Sequence, residues 1–554
     1  MKKTVKDLTL DEKIGQLIVF GFPEDEYSER IDGLIKEYKL GNILLFTRNI
    51  TSPEKLFNLN QNIQKAMMKY IGIPAFITAD QEGGMVTRLY NGATVFPGAM
   101  TLSATNNPEN AYLSGLYMAK ELDALGINVN FAPVLDVNNN PLNPVIGVRS
   151  FGDTAERVSL YANNFIKGMQ TKVIATGKHF PGHGDTNVDS HLDLPRVNFE
   201  MDRLKEVELA PFEKAINDDL KAIMSAHIVY KHLTNGMPAT LSKEALTDLL
   251  REKMGFEGLI FTDGMEMKAI LNKYGAIESS VPAVLAGANL LLYCHHEEQQ
   301  IGAVKELKKA VLDGTISMEV LDERVERVLK FKKDLNLSIL TNKFGDVKDI
   351  VGNKKHLDFA QQAVNDALTL VKGEVYKEKG KTLFIGQLPI STSGADHTDG
   401  EHSTIGILRK HLPNMDYQLA SLNPTKEEIK ELEALASKYD QVILTTYNSN
   451  VYLQQVELVK ILNKLKAELH VISLRNPYDH YLVPEIKNYV CLYEYTQNSI
   501  NTLKEYLLGK IKPKGVLPLY VWLHYRNRRR RNKNIRSSLW LWRKWTKENS
   551  SWIF

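Results

Sequence analysis

Eight short apolar runs, each separated from the next by a stretch with helical periodicity, constrain the fold of this chain most. They occupy residues 17–20, 42–46, 75–79, 129–134, 173–176, 222–225, 259–262 and 289–293. Strands that alternate with helices in this way predict an α/β fold, here a (β/α)8 barrel of the TIM type. We expect its last helix over 318–333, capped by Ser317, and the whole barrel within residues 1–335.

A second, smaller α/β domain is predicted after the barrel. Polar residues 336–360 are typical of a linker, and apolar runs return at 382–385, 441–445, 470–474 and 490–493. Helical stretches at 426–437 and 453–465 separate these runs. The pattern predicts a mostly parallel αβα sandwich over residues 361–518.

The last residues, 519–554, differ sharply from the rest of the chain. All five tryptophans and ten of the 69 Lys and Arg residues lie beyond Tyr520, against one acidic residue, Glu548. Without them the chain has a net charge of about −6. The change favours a frameshifted or poorly ordered end. A basic segment that binds nucleic acid or an anionic membrane is the alternative.

The composition, 43% hydrophobic and 24% charged, is that of an ordinary globular protein. No apolar run reaches the roughly 18 residues needed to cross a bilayer. The basic start lacks an apolar signal core, and Thr9 with Glu12 is typical of a helix capping box. We therefore expect a cytoplasmic protein. Its two cysteines, Cys294 and Cys491, imply no disulfide framework.

Residues 178–191 contain three histidines, two aspartates and a lysine among several glycines. Buried ionisable groups need partners, and clustered glycines interrupt regular structure. We therefore expect a loop that leaves the fifth strand and gathers polar side chains around a ligand.

Polar residues also follow other predicted strands. Since the carboxyl ends of barrel strands face one mouth, these residues are expected to share a site. They are Asp80 and Arg88 after the third strand, Asp136 and Arg149 after the fourth, His227 after the sixth and Asp263 after the seventh.

Three motifs together resemble glycoside hydrolase family 3, most closely its branch of NagZ-type β-N-acetylglucosaminidases of bacterial cell-wall recycling. They are residues 178–186 with Asp189-Ser190-His191, residues 80–84, and Thr262-Asp263. The resemblance extends more weakly over the second domain, as in two-domain members from Gram-positive bacteria. It implies a retaining exo-hydrolase that releases terminal, non-reducing β-linked N-acetylglucosamine, and we expect its substrates to be peptidoglycan fragments.

The resemblance also implies residue roles. Asp263 matches the nucleophile that forms a covalent glycosyl-enzyme, and His191 the general acid/base, with Asp189 orienting its imidazole. Glu82 is expected to be structural, Asp136 and His227 to lie behind the sugar-binding residues, and Asp185 to hold the loop or contact the sugar. The residues expected to bind sugar are Asp80, Arg88, Arg149, Lys178, His179 and His183, the last alternatively holding the loop.

Other functions stay open at this stage. The same site could use phosphate instead of water, which would make the chain a β-N-acetylglucosaminide phosphorylase. His179, His183, Asp185, Asp189 and His191 could alternatively bind zinc or manganese in a barrel metallohydrolase. A non-catalytic sugar-binding protein is the third alternative. We expect no cofactor, a small carbohydrate or muropeptide as the only partner, no nucleic acid or membrane, and a monomer.

Overall fold

The computed structural model describes residues 3–186, 194–387 and 404–519, and its first half is a closed barrel of eight parallel strands. We number these strands in chain order. They are β1 (Ile18–Phe20), β2 (Asn42–Leu45), β3 (Phe76–Ala79), β4 (Val129–Asn130), β5 (Ile174–Phe180), β6 (Ala222–Ser225), β7 (Leu259–Gly264) and β8 (Leu290–Tyr293). Each strand pairs with its neighbours in sequence, and β8 closes on β1 through Ile18 and Leu291. The predicted TIM-type barrel is confirmed.

Three strands end two or more residues away from the predicted position. Strand β5 continues to Phe180 and β7 to Gly264, so Lys178, His179 and Asp263 lie on strands and not on the loops after them. Strand β4 is short and ends at Asn130, because Pro133 has no N–H to donate to a neighbouring strand. Placement on strands gives these side chains a fixed direction towards the barrel mouth.

Helices surround the barrel, and their caps follow from local sequence. Thr9 and Glu12 form the predicted capping box, and the Ser317 side chain accepts from the Val320 N–H at the start of the last barrel helix. The helices are Leu10–Gly15, Glu29–Tyr38, Pro53–Tyr70, Ala99–Ala104, Pro108–Ala124, Ala155–Met169, Met201–Glu206, Ala210–Asn217, Glu244–Lys253 (a π-helix), Lys268–Tyr274, Ser280–Ala286, Glu297–Leu312 and Met318–Lys332.

The second half contains a six-stranded sheet. Its strands are β9 (Thr369–Lys372), β10 (Thr382–Gln387), β11 (Asp416–Ala420), β12 (Gln441–Thr446), β13 (Glu468–Ser473) and β14 (Asn488–Cys491), in the order β9-β14-β13-β12-β10-β11. Only the β9–β14 pairing is antiparallel among these described strands. Helices Thr404–His411, Lys426–Ala436, Gln454–Leu462, Asp479–Leu482 and Gln497–Leu507 accompany the sheet.

Sequence reasoning predicted the four inner strands and missed both edge strands, β9 and β11. Strand β11 is largely exposed, with only Ala420 buried. A half-exposed edge strand needs no continuous apolar run, so its sequence lacks the pattern that identifies buried parallel strands.

Residues 336–360, predicted as a linker, contain the short helix Phe344–Val347 and the start of Lys354–Ala367. The longer helix packs against Ala99–Ala104 of the barrel half and Gln497–Leu507 of the second half. It therefore joins the two halves through buried contacts. No helix in the described ranges is long and apolar enough to cross a membrane.

Candidate active site

The turn after β3 is built around Gln81 and two glycines. The Gln81 side-chain oxygen accepts from the backbone N–H groups of Arg88 and Leu89, at 2.7 and 3.2 Å, which draws the following loop back over the strand end. Gly83 has φ +93°, and a Cβ there would lie 2.4 Å from the Pro97 carbonyl oxygen. The turn thus requires glycine, and it places Asp80 at the barrel mouth.

Four charged residues from three strand ends form one hydrogen-bonded cluster, and a fifth, Arg88, lies beside it. The Lys178 Nζ lies 2.7 Å from both Asp80 Oδ1 and Glu82 Oε1. Arg149 binds Glu82 with two parallel bonds, Nε to Oε2 at 2.9 Å and Nη2 to Oε1 at 2.7 Å. Arg88 approaches the other Asp80 oxygen at 3.6 Å. The structure thus brings together four of the residues that were predicted to bind one sugar: Asp80, Arg88, Arg149 and Lys178.

Burial and charge together set the protonation of this cluster. Burial alone would raise the pKa of Glu82, but the charges of Arg149 and Lys178, with their hydrogen bonds, lower it well below its usual range. Burial would lower the pKa of Lys178, but Asp80 and Glu82 raise it. Glu82 is therefore ionised and Lys178 is protonated at neutral pH.

The buried carboxylate of Asp136 holds the end of β5. It accepts from the backbone N–H groups of His179 and His183, at 3.1 and 2.6 Å, and lies 2.7 Å from His179 Nδ1. Because the carboxylate accepts a hydrogen bond there, Nδ1 of His179 carries a proton, and Nε2 of the same ring is left for other partners. Burial, with the nearby charge of His179, lowers the pKa of His183 to about 4. His183 is therefore neutral at neutral pH, with Nδ1 2.8 Å from Thr186 Oγ1.

Across the barrel from β3, Asp263 stands near the end of β7 and is partly exposed. Its Oδ1 accepts from the Gly264 N–H at 2.8 Å. His227 is buried with Nε2 2.9 Å from the Gly264 carbonyl oxygen and Nδ1 2.8 Å from Thr240 Oγ1. The histidine thus fixes the backbone beside Asp263, which agrees with its predicted place behind the site.

A cavity of about 230 Å³ opens at the carboxyl ends of the barrel strands, and the described residues predicted to act on the sugar line it. These are Asp80, Arg88, Arg149, Lys178, His179, His183 and Asp263. Polar residues from β3, β4, β5 and β7 therefore converge on one space, as strand-end reasoning predicts.

Three more predicted residues follow β5 in the sequence: Asp185, Asp189 and His191. Asp189 and His191 lie outside the described residues. Asp185 does not line the cavity, and burial raises its pKa while Arg203 and Asn140 act in the opposite direction. Asn143 donates to the carbonyl oxygens of His183 and Gly184, at 2.7 and 3.0 Å, and so anchors the backbone just before residue 187.

Sequence reasoning missed the apolar and aromatic part of the wall. Phe46, Met267, Cys294 and His295 line the cavity, and the Phe46 and His295 rings lie 5.0 Å apart. Phe46 and His295 follow β2 and β8, so the strand-end rule, applied to those two strands as well, would have found them.

Glu266 was also missed. It accepts from the backbone N–H groups of Cys294, His295 and His296 and lies 2.8 Å from His296 Nδ1. The carboxylate ties the loop after β7 to the loop after β8. It thereby holds His295 at the cavity wall. Separately, the described ranges contain no group of three or more His, Cys, Asp or Glu side chains placed to bind a metal ion.

Comparison with protein families gives one match over most of the barrel half. Residues 9–331 match the model described as "Glycosyl hydrolase family 3 N terminal domain". The matched range contains every described residue that lines the cavity.

Individual relatives agree with this match. Beta-hexosaminidase A of Pseudoalteromonas piscicida is 33% identical over 368 residues, which are 62% of this chain and 61% of that protein. Beta-hexosaminidase of Haemophilus influenzae (strain PittEE) is 38% identical over 283 residues, 50% of this chain and 79% of that protein.

A solved structure is similar over both halves. The glycoside hydrolase family 3 beta-N-acetylglucosaminidase from Paenibacillus sp. str. FPU-7 has a TM-score of 0.84 and 36% identity, over 92% of this chain and 99% of that one. The two-part architecture of this chain therefore occurs as a unit in another protein.

Proposed function

We propose that this chain, which belongs to glycosyl hydrolase family 3, is a retaining exo-β-N-acetylglucosaminidase that removes terminal, non-reducing β-linked N-acetylglucosamine. The observation that carries the proposal is one cavity with Asp263 on one side and the paired charges around Asp80 and Lys178 on the other. The names of the hexosaminidase relatives and of the Paenibacillus enzyme support the choice of sugar.

The size of the cavity supports action at a chain end. At about 230 Å³ it is smaller than the ~300–1,000 Å³ typical of pockets for drug-sized ligands. Such a space suits one sugar ring better than several. The charged cluster at one side can hold ring hydroxyls, since carboxylate, ammonium and guanidinium groups accept from and donate to vicinal hydroxyls.

Asp263 is the proposed nucleophile. Its carboxylate attacks the anomeric carbon, the bond from that carbon to the leaving oxygen breaks, and a covalent glycosyl-enzyme forms. Water then attacks the same carbon and releases Asp263, so the configuration is retained. The Gly264 N–H on Oδ1, with His227 behind it, directs the carboxylate.

The proposed acid/base is His191, oriented by Asp189. A general acid must hold a proton at working pH, and two of the described cavity residues, Asp80 and His183, suit that role poorly. Asp80 accepts from Lys178, and His183, with a pKa of about 4, is already neutral. His191 follows the anchored backbone of His183 within eight residues. It donates a proton to the leaving oxygen and later takes one from water.

A leaving-group series tests these roles. We expect Asp263→Ala to abolish turnover of every aryl N-acetylglucosaminide. His191→Ala should lose least activity with leaving groups of low pKa, since these need little protonation. His179→Ala is the matched control, because His179 with Asp136 is an Asp–His pair inside the described cavity. A uniform loss across the series for His191→Ala, with a graded loss for His179→Ala, would assign the acid to His179.

The acceptor and the natural substrate are tested separately. Release of free N-acetylglucosamine at equal rates in phosphate and inert buffer supports hydrolysis, whereas a sugar 1-phosphate product would establish phosphorolysis.

We propose peptidoglycan fragments as the substrate, checked by digestion of purified muropeptides beside chitin oligosaccharides. A preference for the matching glucoside would contradict the choice of sugar. A cytoplasmic location and a monomeric state stay predictions.

A further inference from the structure

The second domain contacts the loop that carries Arg149. This loop, residues 138–149, follows β4 and ends in the short 3-10 helix Gly147–Arg149. Val148, the middle residue of this short helix, is buried in the hydrophobic core formed mainly by the second domain. The next residue, Arg149, lines the cavity. One turn of chain therefore connects the core of the second domain to the sugar-binding cluster.

Asn476, which follows β13 of the second domain, holds this turn by its backbone. Its Oδ1 accepts from the Val148 N–H at 3.2 Å, and its Nδ2 donates to Asn450 Oδ1 at 3.3 Å. Asn476 is 4% exposed, so water does not replace these bonds. Gly147 has φ +46°, and a Cβ there would lie 2.3 Å from Asn476 Oδ1. The contact is therefore close as well as polar.

Two more side chains attach the same loop to the second domain. Asn138 accepts from the Gly147 N–H at 3.2 Å and donates to the hydroxyl of Tyr478 at 2.6 Å. Asn450 donates to the Pro141 carbonyl oxygen at 2.7 Å. The polar carboxyl edge of the second sheet thus meets the β4 loop at three points along its length.

The partner of Arg149 is attached in a similar way. Glu82 lies on the turn after β3, and the neighbouring Met85 accepts from the Tyr495 N–H. Glu494 accepts from the Gly98 N–H at 2.9 Å and from Thr101 Oγ1. Both loops that supply the Arg149–Glu82 pair therefore rest on the second domain.

From these contacts we infer that Asn476 is a positioning residue for Arg149: through it, the second domain holds part of the sugar subsite although it supplies no group to the described cavity wall. This inference rests on the proposed function for the identity of the sugar. Asn476 acts by fixing the backbone beside Arg149, so the guanidinium meets the sugar in the orientation set by Glu82.

A double-mutant cycle with Arg149→Ala tests the inference on the full chain. We expect Asn476→Ala to raise both KM for an aryl N-acetylglucosaminide and the Kd for N-acetylglucosamine by about tenfold, the order expected for lost hydrogen bonds. Its kcat should change less. In the Arg149→Ala background the same substitution should add little, since residues that act as a unit are not additive.

Asn463→Ala is the matched control. Asn463 is also an asparagine of the second half, and it donates to a backbone carbonyl of that same half, that of Glu485, at 3.2 Å. We expect the KM and the Kd of Asn463→Ala to match those of the wild type. Equal losses from Asn476→Ala with and without Arg149, or a lower Tm with unchanged KM, would overturn the inference. If the wild type cleaves the glucoside instead, the proposed sugar fails and the same cycle is decided on the glucoside.

Discussion

At the scale of single residues, Glu82 is the carboxylate on which two cations of the cavity depend. It binds Arg149 twice and shares Lys178 with Asp80 while being 8% exposed. Removing its charge breaks the buried ion pairs of Glu82 with Arg149 and Lys178, and breaking a buried pair typically costs about 3–5 kcal/mol. We expect Glu82→Gln to lower Tm and to reduce kcat/KM mainly through KM, measured by thermal unfolding and steady-state kinetics.

The matched control for Glu82 is Glu26→Gln at the surface. Glu26 also pairs with a lysine, Lys55, at 2.9 Å, but both side chains are exposed. Exposed pairs contribute little because solvent screens them, so Tm and kcat/KM should stay at wild-type values. Equal effects of the two substitutions would contradict the role given to Glu82.

His183 makes the stability of the fold depend on pH. Its pKa is about 4 in the folded chain and near 6.5 when unfolded. The unfolded chain therefore binds the proton first as pH falls. The contribution of His183 to the free energy of unfolding is fully present above about pH 6.5. It falls by up to about 3 kcal/mol as the pH drops towards 4. We expect His183→Asn to show a flatter dependence of Tm on pH across this window; an equally steep curve would exclude His183 as a source.

The residue scale also shows what a sequence can predict. Asp80, Arg149, Lys178 and Asp263 were identified because polar groups at strand ends of one barrel share a mouth. The pairing of Glu82 with Arg149 could not be predicted, since the two are 67 residues apart and their contact depends on the paths of two loops. A glutamate before two glycines is equally compatible with a solvent-exposed turn.

At the scale of elements, the turn after β3 depends on glycine at position 83. Alanine there would combine φ +93° with a Cβ 2.4 Å from a carbonyl oxygen. Positive φ alone costs about 1–3 kcal/mol in a residue with a side chain. We expect Gly83→Ala to lower Tm and kcat/KM together, because Asp80 and Glu82 belong to the same turn.

Gly33→Ala serves as the control, and its expected effect on stability is the opposite of that of Gly83→Ala. Gly33 lies inside the helix Glu29–Tyr38, and a Cβ there meets nothing within 4 Å. Alanine should stabilise this helix by about 0.5–1 kcal/mol and leave kinetics unchanged. A stabilising effect at both positions would show that the β3 turn tolerates a side chain.

Elements were predictable where burial imposes a pattern. Each of the eight barrel strands contains buried apolar residues, and all eight strands were located from the sequence although some of their ends were not. The ends of β5 and β7 were missed because Lys178, His179 and Asp263 are polar, and a polar residue ordinarily marks the end of an apolar run. Lys178 is bound by the charged cluster, His179 by Asp136, and Asp263 by the Gly264 N–H. The strands therefore continue through these polar residues.

At the scale of the whole molecule, the second half and the barrel form one structure around the site. The contacts of Asn476 and Glu494 join loops that lie more than 300 residues away in sequence. No local sequence pattern predicts such long-range contacts. Sequence analysis therefore predicted two domains but not the contacts between them. The limits of these domains stay predictions, and the buried contacts join the two parts beside one cavity.

The end of the second domain gives the last prediction. Leu519 is fully buried and Leu517 is 7% exposed, both in the second domain's core, whereas residues 520–554 lie outside the described ranges. A chain that ends at Leu519 should keep the wild-type Tm and turnover. A chain that ends at Val516 loses both leucines, each worth about 2–5 kcal/mol when a core leucine is truncated, and should melt at a lower temperature. Because Asn476 belongs to the same domain, the KM of the chain that ends at Val516 should rise as well. Equal Tm values for the two truncations would contradict the packing of Leu517 and Leu519.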